Sequence, residues 1–231
     1  MVYRHSILCI LAEKRRLRRG ITMLKQSVMS GKLTGIPAYN TNTKSNEFCI
    51  RQKDTDTICG QCYSHKMLDT YRKSCIPAWQ HNSDEFSNWI DWDDLPVVNA
   101  AFVRLNGHGE LINDTHFVNI IRLARKNPHT TFALWTKRAS ITRKFTKPYN
   151  SKWETLYGGE DFGDIPPNLI LVFSNPRIDK VIDVPRGFHK VFNNVSKGST
   201  EPQNCTGRKC MDCLACYRKD SGTDVIVEMV K

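Results

Sequence analysis

Between Asn99 and Lys137 two apolar patterns alternate, and together they point to one kind of fold. "NAAFVRLNG" is a nearly continuous apolar run of the kind found in strands buried on both faces of a parallel sheet. The loop "HGELINDT" leads into a helical stretch where Phe117, Ile120, Ile121 and Ala124 recur at i, i+3, i+4 and i+7. Asn127-Pro128 closes that helix, because the residue before a proline is pushed out of helical geometry. "TTFALWTK" reads as a second buried strand and completes a βαβ unit. "NLILVFSN", after Pro166-Pro167, supplies a third strand and "HKVFNNV" a fourth. Strands alternating with helices predict an α/β fold with a right-handed parallel sheet, open or partly closed into a (β/α) barrel.

The 231 residues are enough for one such domain with appendages. Residues 1–22 are unlike the rest and carry the dense basic block Lys14, Arg15, Arg16, Arg18 and Arg19, which reads as an extension outside the fold. The folded unit is expected over residues 23–198, with a cysteine-rich segment over 199–231. The net charge of +11 suits a nucleic-acid partner, since phosphate binding draws on Lys and Arg. The apolar run "SILCILA" is short and precedes the basic cluster, the reverse of a signal peptide, and no run is long enough to span a membrane. These features predict a cytoplasmic protein without a membrane partner.

Nine cysteines are many for this length, and seven fall into two groups. In a reducing compartment such groups more often bind metal or do redox chemistry than form disulfides. At the C-terminal end "CTGRKCMDCLACY" places Cys205, Cys210, Cys213 and Cys216 within twelve residues. Structural zinc generally uses two CxxC knuckles separated by a dozen or more residues, whereas a single compact run is closer to ferredoxin spacing. This favours an iron–sulfur cluster, with zinc as the alternative metal. At the N-terminal end Cys49 in a polar loop, then Cys59 and Cys62 in "ICGQCY", give C-x9-C-x2-C. Three thiolates on a four-iron cluster leave one iron without a protein ligand, and an open position permits chemistry there.

The succession of strand, cysteine loop ending in "CGQCY", helix, strand, "NGHGELIN", helix and "TFALWTKR" resembles the radical S-adenosylmethionine (radical SAM) enzymes. It is most similar to short phage-encoded proteins of that kind with a CxxCY motif. The resemblance implies a partial (β/α) barrel with a cysteine-rich C-terminal extension. It implies a [4Fe-4S] cluster on Cys49, Cys59 and Cys62, a second on the four C-terminal cysteines, and SAM bound at the fourth iron and reductively cleaved. An electron donor such as flavodoxin or ferredoxin would then be a partner, and the host cytoplasm the location. The family's Gly-Gly-Glu segment corresponds to His108-Gly109-Glu110. The family's usual CxxxCxxC spacing is shorter than the nine-residue gap after Cys49, and His108 stands in place of a glycine. A literal Gly158-Gly159-Glu160 lies in a loop after "KWETLY" rather than after an apolar strand, so position favours Glu110.

Apart from the resemblance, Gly107 and Gly109 allow positive φ and close approach of a ligand at the carboxyl end of a buried strand, with Glu110 free to accept hydrogen bonds from an ammonium group. Arg104, in an otherwise apolar strand, needs a structural salt bridge or an anionic ligand. Lys137 and Arg138 read as a solvated face. The helix after Cys62 is expected to place Leu68, Tyr71 and Cys75 on one face, with Cys75 in the core. Trp79, Trp89, Trp92 and Trp135 read as packing residues. A metal-stabilised, non-enzymatic protein that binds nucleic acid or protein is the alternative function.

Overall fold

The expected strands become neighbours in one sheet. The computed structural model describes residues 24–146 and 164–230. The basic block of residues 1–22 and Gly158-Gly159-Glu160 lie outside the described residues. The strands are β1 (Gln26–Ser27), β2 (Ala38–Tyr39), β3 (Phe102–Leu105), β4 (Thr131–Thr136), β5 (Leu169–Ile178), β6 (Lys190–Val195) and β7 (Val225–Met229). Their order in the sheet is their order in the chain; β1 runs antiparallel to β2 and every later pair is parallel. The helices are α1 (Glu47–Arg51), α2 (Tyr63–Asp69), α3 (Ile76–Ser87), α4 (Asp114–Lys126), α5 (Ala139–Phe145) and α6 (Cys210–Cys213). The fold is α/β with a seven-stranded, mostly parallel sheet. No helix among the described residues is long and apolar enough to cross a membrane.

Alternation along each strand divides the sheet into two covered faces. Val103, Leu105, Phe132, Leu134, Leu169 and Leu171 point to one core, shared with Phe86 of α3, the apolar side of α4, and Ile141 and Phe145 of α5. Ala133, Trp135, Ile170 and Val172 point the other way, where Tyr217 and, at the rim, Phe102, Phe192, Leu214 and Cys216 close the surface. Helices therefore cover one face, and the cysteine-rich connection from β6 to β7 covers the other. The sheet also curls: Lys32, in the turn after β1, forms an ion pair with Glu228 on β7, bringing the two ends of the strand order together.

The α4 periodicity holds, and all four of its marked apolar residues are fully buried. Asn113 caps its N-terminus by accepting from His116 N at 2.9 Å. The stretch after Cys62 departs from the expected single helix. α2 stops at Asp69, Tyr71 is 70% exposed, and Cys75 lies half-buried in a short 3-10 turn. Thr70 Oγ1 donates back to Lys66 O at 3.0 Å, and Pro77 is tolerated only within the first turn of the new helix α3. Of the four tryptophans expected to pack, Trp79 and Trp135 are buried, whereas Trp89 and Trp92 are exposed beneath Arg122 and Lys126.

His116 is fully enclosed, stacked on Phe86 at 4.5 Å, and accepts from Ile112 N at 3.2 Å. Burial, helped by Arg138, lowers its pKa to about 3. Since an unfolded histidine titrates near 6.5, the folded state loses stability as pH falls below that value toward the folded pKa. Denaturant unfolding is expected to show roughly 2 kcal/mol lost between pH 6.5 and 5 from this residue. His116→Gln should reduce the proton uptake on unfolding by one; an unchanged slope would refute the assignment.

Candidate metal centre

At the carboxyl ends of β2, β3 and β4 two chain segments are tied together. α1 carries Cys49, so this cysteine sits in a short helix and not in the loop expected. Asn46 caps that helix, accepting from Phe48 N at 3.0 Å and Cys49 N at 3.4 Å. The same side chain donates to Glu110 O at 3.0 Å and so joins the cysteine helix to the turn after β3. The second segment presents Cys59 and Cys62. Cys59 N donates to Thr57 Oγ1, Cys62 N to Cys59 O, and Ile58 N to Pro176 O on β5 at 2.9 Å. Tyr63, directly after Cys62, donates its hydroxyl to Gly107 O at 2.8 Å.

The Gly107–Glu110 turn is packed on all sides. His108 N donates to Asn40 Oδ1, its ring pairs with Ser64 Oγ at 2.9 Å, and it stacks on Trp79 at 4.4 Å. Burial, with Arg72 and Arg104, lowers the His108 pKa to about 4. Gly109 has φ +91°, and a Cβ there would sit 2.0 Å from Thr41 Oγ1. Gly109→Ala combines left-handed strain with a clash against backbone, so a loss of about 3 kcal/mol is expected in denaturant unfolding. A loss below about 1 kcal/mol would show that the turn relaxes.

Glu110 is buried, and its carboxylate already accepts from Leu111 N at 2.8 Å, Thr136 Oγ1 at 2.5 Å and Lys137 N at 2.8 Å. Lys137 and Arg138 do not form the solvated face expected. Lys137 reaches Ser174 Oγ at 3.1 Å, and Arg138 donates to Leu111 O and Ile112 O. Burial pulls the Lys137 pKa down, but the charges of Cys59, Glu110, Cys62 and Cys49 outweigh it and raise the value. Burial pushes the Cys49 thiol up, and Glu110, Cys62 and Cys59 push it further. The three thiols, one carboxylate and one ammonium thus form a single electrostatic neighbourhood despite the nine-residue gap.

The C-terminal cysteines form a second neighbourhood at the other face of the sheet. Cys205 N donates to Val227 O at 3.0 Å beside β7. Cys210 and Cys213 lie on α6, and Leu214 follows in a left-handed cap at φ 51°. Burial raises the Cys216 pKa to about 12, opposed by Arg104 and reinforced by Cys205, Cys210 and Cys213. Lys32 Nζ lies 3.7 Å from Cys205 Sγ, and Arg208 Nη2 is 3.9 Å from Cys213 Sγ. All eight described cysteines are free thiols. Among the described residues no three His, Cys, Asp or Glu side chains stand close enough to hold a metal ion as they are. Both groups are gathered thiols rather than preformed ligand cages.

Asn46, Tyr63, Lys32 and Thr136 complete these neighbourhoods, and Tyr63 carries a sequence signal in the CxxCY motif. The "SNEF" run holds the other legible clue, because Asn followed by Glu is an N-cap pattern. A parallel α/β sheet with two cysteine groups, one at the carboxyl edge of its strands, defines the class. The family described as Gene product 88 matches residues 12–221, and the chain belongs to that family. The designation is of the phage type, which fits a bacteriophage protein. No curated protein and no solved structure matches the chain.

Proposed function

We infer that this chain is an iron–sulfur protein resembling radical SAM enzymes. Cys49, Cys59 and Cys62 would hold one [4Fe-4S] cluster, and Cys205, Cys210, Cys213 and Cys216 a second. The observation that carries this reading is the gathering of three free thiols from two segments beside the Gly107–Glu110 turn, where parallel sheets take ligands. Strand order following chain order, with a curl that brings β7 toward the turn after β1, supports a partial (β/α) barrel. The donor set fits the group: half-buried thiols crowded by one another and by Glu110 are costly to ionise, and a metal cation would offset that charge.

Held by Cys49, Cys59 and Cys62, such a cluster would supply one-electron reducing chemistry to bound SAM. Around it the chain's own residues bind and orient. Lys137 balances negative charge beside the thiols. Glu110, with three of its roughly four acceptor positions filled, keeps one for an amino group. Gly109 lets backbone pass close to Thr41. An external electron donor of flavodoxin or ferredoxin type, in the host cytoplasm, completes the scheme. The test is anaerobic purification with iron and sulfide analysis and electron paramagnetic resonance, with and without SAM. About eight irons per chain and a SAM-shifted signal are expected. Zinc in place of iron, or a signal indifferent to SAM, overturns the reading in favour of a metal-stabilised binding protein.

A further inference from the structure

Four buried polar atoms around one face of the sheet find no protein partner: Arg104 Nε, Asn106 Nδ2, Trp135 Nε1 and Tyr217 Oη. All four can donate, and leaving a buried donor unpaired is costly, so native proteins seldom keep several together without something to accept from them. Three of them are close to one another. The Arg104 guanidinium lies 3.2 Å above the centre of the Trp135 ring, and the Trp135 and Tyr217 rings are 5.7 Å apart. The Tyr217 hydroxyl faces the guanidinium without a well-formed hydrogen bond to it. Asn106 follows two residues after Arg104 with φ 54°, a strained conformation for a non-glycine residue and one that clusters at ligand sites.

The charge of Arg104 has the matching sign. Lys137 and Lys32 have local partners in Ser174 and Glu228, whereas among the described residues no carboxylate forms an ion pair with Arg104. With Trp135 covering one face of the guanidinium, its N–H edge remains for a planar or tetrahedral oxyanion.

We propose that this position binds the carboxylate or phosphate group of a small organic ligand, with Arg104 as the principal contact and Asn106, Trp135 and Tyr217 donating around it. As an assignment of substrate class this rests on the two-cluster reading; as a binding site it stands without it. The full chain is titrated with inorganic phosphate and, separately, with succinate at constant ionic strength, following heat exchange and thermal unfolding. At least one anion should bind and raise the melting temperature. Arg104→Met should weaken that binding by about tenfold or more. The variant without anion should melt within a few degrees of the wild type, because losing the guanidinium's contact with Trp135 is offset by removing a charge that no carboxylate among the described residues pairs. Binding of phosphate alone assigns a phosphate ester, and binding of succinate alone a carboxylate. Neither anion binding, undiminished binding by the variant, or a variant that melts lower and loses iron would each overturn the proposal. Iron-loaded protein blind to both anions sinks this site and spares the cluster reading; metal-free protein that binds them through Arg104 does the reverse.

Discussion

Replacing Cys59 with Ala is expected to remove about half of the iron and sulfide from anaerobically purified protein, and Cys213→Ala to remove the other half. The two groups lie in different segments and answer to different cations, Lys137 for the first and Lys32 with Arg104 for the second. Each should therefore load without the other. Cys59 is half-buried in a loop and belongs to neither apolar core, so its loss should leave the fold intact. Far-ultraviolet circular dichroism serves as the control. Were all the cysteines to meet at one centre, either single variant would strip the protein of metal entirely. Iron content unchanged in both variants would remove the cysteines from the assignment altogether.

Lys190→Met should cost about 3 kcal/mol and lower the melting temperature by roughly 6–12 °C. The ammonium group is wholly shielded from solvent and donates to Ser221 Oγ at 3.0 Å, Thr223 O at 2.8 Å and Asp224 Oδ1 at 3.0 Å. It pins the loop that follows the second cysteine group to the start of β6, just before β7 begins. Replacing it takes the shared donor away from Ser221 Oγ and Thr223 O, both partly enclosed. Asp224, by contrast, is more than half exposed, so Asp224→Asn should cost less than about 1 kcal/mol. Equal effects from the two substitutions would mean that the ion pair, rather than the buried donor, holds the loop. In the Lys190 variant the C-terminal cysteines should lose metal before the N-terminal ones.

The parts legible in the sequence are those in which burial is two-sided. β4 and the first half of β5 are covered on both faces and read as apolar runs, β3 is broken only by Arg104, and α4 shows its period because one side meets the sheet. β1 and β2 are two residues each, too short for any pattern to register. β7 carries a β-branched signal in Val225-Ile226-Val227, but three residues are too few to mark a strand on their own. Lys137 is the instructive case. Charge and position after a strand suggest solvent, but the thiols that surround it arrive from segments some 75 to 90 residues away in the chain. Convergence of that kind is a property of topology and leaves no local trace. The tryptophans make the same point in reverse, since Trp89 and Trp92 stay exposed and meet the charged heads of Arg122 and Lys126 rather than an apolar core.

A sheet whose strands follow one another in chain order can be assembled by adding each strand to the edge left by the one before. The last addition differs from the others, because the connection between β6 and β7 runs across the sheet and brings Tyr217 and four thiols with it. β7 pairs with β6, and Cys205 N donates to Val227 O on β7, so the first thiol of the second group is anchored to the sheet's last strand. Loosening of that one strand would therefore also release the backbone on which the second group is strung.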